Sequence, residues 1–250
     1  TDSAYEWTLM KIRQEVMVGV LAVDLLCALA SIVIFSINIA KGVTPLWSVI
    51  FAACTVVAYI GLFFVCNFKV LSPGANDNLT GVFVAVSALK CLKESGIRYE
   101  NTEVCALLTG SEEAGLRGAK AFAKAHAKEF DDVETLIFAI DTIRDAKFLG
   151  VNVNDLNNTV PSDPHAIDLF FNAGAELGIP VQKIGVPFGA TDSAAFNQGG
   201  MKAVGITAMN HNLEDYYHTR KDTFDNLDEE SLATCFEVAV KALENFDSGL

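Results

Sequence analysis

Two long apolar stretches near the start of the chain constrain its fold more than any other feature. The stretch from Val16 to Ala40 contains one charged residue, Asp24, and the stretch from Leu46 to Asn67 contains none. A helix that spans a bilayer needs about 20 apolar residues, and each stretch is long enough. They are joined by KGVTP, a turn-like sequence. The pattern predicts a transmembrane helical hairpin over residues 16–68, with a buried helical pair or a dimerisation hairpin of a soluble protein as the alternative. A signal peptide would be single and shorter.

Charge separates this hairpin from the rest of the chain. Residues 1–69 carry equal numbers of acidic and basic side chains, so the net charge of −13 belongs to the remaining residues. This division explains how a chain with 51% hydrophobic residues and a mean hydropathy of +0.33 is also strongly acidic. The acidic part argues against a nucleic-acid partner, because a phosphate backbone requires a basic surface.

The basic residues around the hairpin predict which side of a membrane its ends face. Lys11, Arg13 and Lys69 flank the hairpin on one side, whereas Lys41 lies in the turn on the other. Because cytoplasmic loops carry an excess of Lys and Arg, the flanks and the acidic domain are expected in the cytoplasm. Asp24 is expected either to stay hydrated near the membrane interface or to face a helix partner as a packing or functional group.

After the hairpin, strand and helix patterns alternate. Helices are predicted where apolar residues recur on one face or capping signals occur, and strands where short apolar runs end in polar residues. The predicted helices are 79–95, 115–130, one that begins at Pro164, and 229–246; the predicted strands are 102–109 and 135–141. This alternation predicts an α/β domain with a mostly parallel central sheet and with ligands at the carboxyl ends of the strands.

Acidic residues and one histidine lie where strands end and loops begin. They are Asp77 in SPGANDNLTG, Glu112 and Glu113 in LLTGSEEAGLRG, Asp141 in LIFAIDTI and His218 in EDYYHTRKDT. Carboxylates mixed with imidazole suit zinc or a similar divalent ion, and an excess of carboxylates is typical of a two-metal hydrolytic site. In the adjacent pair, one carboxylate can bind a metal while the other takes a proton from water. Each position alone also has an ordinary structural interpretation, such as an acid in the first turn of a helix.

In combination, these motifs resemble the co-catalytic zinc aminopeptidases, a family that includes the bacterial secreted leucine aminopeptidases and the glutamate carboxypeptidase II catalytic domain. The resemblance runs from about Ser72 to the C-terminus. It implies the three-layer zinc exopeptidase fold, interrupted here by the hairpin. It also implies roles around two zinc ions: Asp77 would bridge them, Glu113 would bind one, Asp141 would bind the other, His218 would complete the ligands, and Glu112 would be the general base.

One departure from the family concerns the start of the chain. The family has a His-x-Asp motif in which the aspartate orients a metal-binding histidine. Asp2 resembles that aspartate, and the histidine is expected immediately before Thr1. The chain is therefore expected to be a piece of a longer polypeptide. Its expected domains are a fragment of the peptidase domain at 1–15, the hairpin at 16–68 and the catalytic domain at 69–250.

A second departure lies in the sequence GATDSAAF. Ser193 stands where the family often has a histidine, whereas Asp192 fits the family pattern and is expected in a hydrogen-bond network near the general base. Tyr217 is expected either to reach the substrate or the transition-state oxyanion, or to pack beside His218.

The function predicted from these features is that of a multi-pass membrane enzyme. The chain is expected to be a zinc-dependent exopeptidase, specifically an aminopeptidase that removes N-terminal residues from peptides through water activated by two metal ions. Its expected partners are peptide substrates and the lipid bilayer, and residues 1–250 alone are expected to be inactive or weakly active. Two alternatives stay open: an inactive membrane scaffold or binding protein of the same fold, and a single-zinc glutaminyl-cyclase-like acyltransferase.

Overall fold

The computed structural model describes residues 4–62, 65–210 and 214–249, and contacts divide the chain into two compact units. The hairpin unit consists of Tyr5–Pro73 and Leu213–Lys221; the sheet unit consists of Thr1–Ala4, Gly74–Asn212 and Asp222–Leu250. Asp2 lies outside the described residues. Its role therefore stays a prediction, as do the predicted domain boundaries.

The hairpin unit contains two long helices and a small sheet. It begins with β1 (Tyr5–Trp7), continues through α1 (Gln14–Lys41) and α2 (Leu46–Leu62), and ends in β2 (Cys66–Leu71), which pairs antiparallel with β1. Within the described residues, α1 is the one helix long and apolar enough to cross a membrane, over Glu15–Lys41, and α2 is shorter. An apolar helix near an N-terminus fits a membrane span or a signal sequence.

The two long helices bury polar side chains and expose apolar ones. Asp24 and Asn38 of α1 are 6% and 7% exposed, and Ser48 and Thr55 of α2 are 1% and 5% exposed. Within each helix the two residues lie a multiple of seven apart, which places them on one face. In contrast, Ile39 is 81% exposed. This distribution is the reverse of that in a soluble helical hairpin, where the apolar face is buried.

The sheet unit has a mixed α/β fold. Its helices are α3 (Thr80–Ser95), α4 (Arg117–His126), α5 (Pro164–Leu177), α6 (Asp192–Gln198) and α7 (Glu229–Asp247), and its strands are β3 (Leu136–Ile143), β4 (Gly150–Asp155), β5 (Val160–Pro161), β6 (Gln182–Gly185) and β7 (Lys202–Ala208). Among the described residues the strand order is β3-β7-β4-β5, and β6 also pairs with β4. The pairs β3/β7 and β4/β6 are parallel, whereas β4 runs antiparallel to β7 and β5. The predicted α/β class is confirmed, and the sheet is mixed because β4 runs against β7.

Helices cover both faces of this sheet and make three layers. One hydrophobic core packs α3, α5 and α7 against the face that carries Phe138 and Ile206. A second core packs α4 and α6 against the face that carries Ile137 and Ala203. The adjacent residues 137 and 138 thus enter different cores, as the alternation of side chains along a strand requires.

Most of the predicted elements are present, but one predicted strand is not. α5 begins at Pro164, where the Asp163 side chain accepts a hydrogen bond from the backbone N–H of Ala166. Residues 102–109 form no strand, although the exposure of 102–107 alternates as in one. The backbone of 103–108 makes no hydrogen bond to another backbone group within the part of the chain that the structure describes. An extended run is a strand only when a neighbour pairs with its backbone groups.

Candidate metal centre

Asp77 lies in a turn that is hydrogen-bonded to β3 near the carboxyl end of that strand. The turn spans Ala75–Leu79 and precedes α3, and Asp77 is 8% exposed. The neighbouring Asn78 donates from Nδ2 to the carbonyl oxygen of Ile140 (2.9 Å) and accepts from the backbone N–H of Gly81 (2.9 Å). Position 81 requires glycine, because a Cβ there would lie 2.0 Å from the Ile140 carbonyl oxygen. This close approach brings Asp77 to the carboxyl end of β3.

Asp141 stands near that same end of β3. The Thr142 hydroxyl donates to Asp141 Oδ1 at 2.9 Å, and the pairing of β3 with β7 shifts register between Asp141 and Ile143. Burial, followed by the charge of Asp77, holds the pKa of Asp141 well above its usual range. Asp77 and Asp141 are therefore close enough to act on each other, although they are far apart in sequence.

Glu112 and Glu113 occupy a tight loop before α4. The carbonyl oxygen of Glu112 accepts a hydrogen bond from the backbone N–H of Leu116 at 2.7 Å. At Gly118 a Cβ would lie 2.4 Å from the carbonyl oxygen of Gly110, so the two ends of the loop approach this closely only with glycine. The loop holds the two adjacent carboxylates at the start of the helix.

Five carboxylates of the sheet unit form one acidic cluster: Asp77, Glu112, Glu113, Asp141 and Asp192. Burial, followed by the charges of Asp141, Glu113, Asp77 and Asp192 in that order of effect, raises the pKa of Glu112 to about 10. Carboxylate oxygens of Asp77 and Glu113 lie within 4.8 Å of one another. Ionised carboxylates this close are unfavourable unless a cation is bound among them. These hard oxygen donors fit a divalent metal ion.

Asp192 is the first residue of α6 and is fixed by hydrogen bonds around it. The Thr109 hydroxyl donates to Asp192 Oδ2 at 2.5 Å. The preceding Thr191 and the following Ser193 both donate from their hydroxyls to Oδ2 of Asp155, at 2.5 and 2.6 Å. Asp155 is fully buried. Sequence reasoning missed Asp155, since nothing in its local sequence distinguishes it from a surface acid.

His218 and Tyr217 lie in the hairpin unit, packed against β1. His218 is 6% exposed, its ring stacks on that of Tyr217 with centroids 4.0 Å apart, and it meets the Trp7 ring edge-on at 4.3 Å. The backbone N–H of Trp7 donates to the carbonyl oxygen of His218 at 2.9 Å. Packing of Tyr217 on His218 is thus observed, and a role of Tyr217 towards the substrate stays a prediction.

A cavity of about 530 Å³ lies beside the acidic cluster. Glu112, Asp141 and Asp192 line it together with apolar side chains that include Leu107 and Phe138. Its volume is within the range of pockets that hold small ligands. Carboxylates at the wall of such a cavity are placed to bind a metal ion or to exchange a proton with a ligand.

Solved structures of other proteins resemble this chain in fold. BSAP, a zinc aminopeptidase from Bacillus subtilis, has a TM-score of 0.57 and 21% identity over 70% of this chain and 42% of that one. The LapA aminopeptidase from Legionella pneumophila has a TM-score of 0.58 and 19% identity over 74% and 50%. A glutaminyl cyclase from Porphyromonas gingivalis has a TM-score of 0.52 and 17% identity over 70% and 67%. The chain spans half or less of the length of these two aminopeptidases.

Comparison with known sequences and sequence families is more specific than the likeness in fold. No curated protein matches the chain. The sequence profile of peptidase family M28 matches residues 61–243, which is well over half of the chain. The matched residues include the whole acidic cluster together with Tyr217 and His218. The chain therefore belongs to peptidase family M28.

Proposed function

We propose that the protein is a zinc-dependent exopeptidase that acts as an aminopeptidase on peptides. The observation that carries the proposal is the acidic cluster, in which burial and four neighbouring carboxylates raise the pKa of Glu112 to about 10. Like charges repel strongly when they are removed from water, so a bound cation would stabilise this arrangement. Membership of peptidase family M28 and the fold likeness to a zinc aminopeptidase support peptide hydrolysis as the reaction.

Four side chains are proposed as ligands of two zinc ions. Asp77 would bridge the ions, Glu113 would bind one, Asp141 would bind the other, and His218 would complete the set. The short distance between oxygens of Asp77 and Glu113 supports the first two assignments. The effect of Asp77 on the pKa of Asp141 supports the third. His218 is proposed from its motif and its residue type, since imidazole and carboxylate are both common zinc ligands.

Glu112 is proposed as the general base of the reaction. Bound zinc would lower the pKa of water and polarise the scissile carbonyl group. The Glu112 carboxylate would accept the proton of the attacking water and donate it to the leaving amine. Asp192, held by Thr109, would support the hydrogen bonds around the base, and Tyr217 would reach the substrate or its oxyanion.

Zinc content and hydrolysis together test this proposal. We expect about two zinc ions per molecule of the full-length protein by elemental mass spectrometry, as in two-metal hydrolytic sites. Hydrolysis of aminoacyl-p-nitroanilides should disappear on chelation and return with zinc. The same aminoacyl-p-nitroanilides with an acetylated amino group should not be cleaved, because an aminopeptidase recognises the free amino group. A folded full-length protein that binds no zinc and cleaves none of these substrates would overturn the proposal.

A single-zinc acyltransferase is the second candidate function. The fold likeness to the Porphyromonas gingivalis glutaminyl cyclase supports it. Binding of about one zinc ion per chain, together with cyclisation of an N-terminal glutamine, would favour this function over the peptidase. Absence of zinc would favour an inactive membrane scaffold or binding protein of the same fold.

We also propose that α1 and α2 anchor the protein in a membrane as a two-helix hairpin. The support is the burial of Asp24 and Asn38 while Ile39 is 81% exposed, since membrane helices pack through polar and small residues and face lipid with apolar ones. The basic flanking residues favour a cytoplasmic sheet unit.

We expect the protein to stay in the membrane pellet after alkaline carbonate extraction. A variant without residues 14–62 should instead be released into the supernatant. Release of the intact protein by carbonate would contradict the anchor.

A further inference from the structure

Asp222 is a fully buried carboxylate that binds the turn carrying Asp77. Its Oδ1 accepts hydrogen bonds from the backbone N–H and the side-chain Nδ2 of Asn76, at 2.8 and 2.9 Å. Its Oδ2 accepts from the backbone N–H of Asp77 at 3.1 Å. Its carbonyl oxygen accepts from the backbone N–H of Ala75 at 3.1 Å. Asp222 therefore accepts hydrogen bonds from the backbone N–H groups of three consecutive residues.

The turn depends on the oxygen atoms of Asp222, because its own backbone carbonyl groups do not replace them as hydrogen-bond acceptors. Asp77 and Asn78 have φ values of −115° and −136° and ψ values of 91° and 53°, which are not helical. Asn76 is 0% and Asp77 8% exposed, so water has little access to the same groups. A buried N–H group without an acceptor costs about as much free energy as a lost hydrogen bond. Loss of the Asp222 carboxylate would therefore loosen the backbone from which the Asp77 side chain projects.

We propose that Asp222 is a positioning residue of the metal centre, which fixes the backbone of Asp77 without touching the metal. The inference rests on the proposed zinc site. Groups that hydrogen-bond to a metal ligand from outside the coordination sphere change metal affinity by about 10- to 100-fold.

Asp222→Asn tests the carboxylate at nearly constant volume. One terminal atom of the amide is an NH₂ donor, which would face an N–H group of Asn76 or Asp77 instead of accepting from it. We expect zinc affinity, measured on the full chain by competition with a chromophoric chelator, to fall by about 10- to 100-fold. The visible spectrum of the cobalt-substituted protein should change as well. Asn76→Ala removes one hydrogen bond and keeps the one to Asp77, so we expect a loss of about two- to tenfold.

Asp228→Asn is the matched control, because the Asp228 carboxylate also accepts from a buried backbone N–H, that of Ser231 at the start of α7. It should keep wild-type zinc affinity. A folded Asp222→Asn protein with wild-type affinity would overturn the inference and leave the zinc site standing. If Asp222→Asn does not fold, unchanged affinity in Asn76→Ala would overturn it. Failure of the wild-type protein to bind zinc would overturn the proposed function instead.

Discussion

In the full-length protein, Glu112→Gln is expected to lower kcat/KM for an aminoacyl-p-nitroanilide by about 10²- to 10⁴-fold while the zinc content stays unchanged. Glutamine keeps the size of the side chain but does not accept a proton from water. Because Glu112 is proposed to act in the reaction and not to hold the metal, the loss should appear in kcat with little change in KM. Steady-state kinetics and metal analysis on one preparation measure both quantities.

Two further variants make the test specific. Glu113→Gln removes a proposed zinc ligand, so zinc content and activity should fall together. Glu237→Gln removes the same charge from an exposed position of α7 and should change neither. A Glu112→Gln enzyme with the parental rate would show that another residue is the base. A Glu112→Gln enzyme that had lost its zinc would instead make Glu112 a ligand.

The ends of helices were predictable from the sequence because their signals are local. Asp163 with Pro164 marks the start of α5, and Gly96, with a φ of 73°, marks the end of α3. Strands depend on their neighbours, so the apolar run 102–109 alone did not determine whether it would pair. For the same reason, the sequence of β4 did not reveal that it runs against β7.

The acidic cluster was predictable in part because its members follow strand-like runs or precede helices. Parallel strands bring their carboxyl ends to one edge, so Asp77 and Asp141 were expected near each other. Asp155 and Asp222 were missed because their partners are distant in sequence: Asp155 binds Thr191, and Asp222 binds Asn76. An isolated aspartate in a loop has the sequence signature of an exposed residue, and only tertiary structure shows that it is buried.

The metal-free protein is expected to lose stability as pH rises from about 4.5 towards about 10, and Glu112→Gln is expected to remove much of that loss. The pKa of Glu112 is raised from 4.5 to about 10 in the folded protein. The folded state therefore keeps a proton that the unfolded chain releases in this range, and stability falls wherever the folded state binds more protons. Since one pKa unit corresponds to about 1.4 kcal/mol, the effect is on the order of several kcal/mol. Urea unfolding in chelator at about pH 5 and about pH 9 measures it.

Glu237→Gln is again the control, because the Glu237 carboxylate is exposed. The stability of this variant should change with pH in parallel with that of the wild type. Zinc should reduce the difference between Glu112→Gln and the wild type, since a bound cation stabilises the ionised carboxylate. Glu112→Gln would then be the more stable protein without metal at alkaline pH and the less active one with metal. Such opposite effects are expected of a carboxylate whose surroundings suit a cation. Equal pH slopes for both proteins in chelator would show that Glu112 is not buried among the other carboxylates.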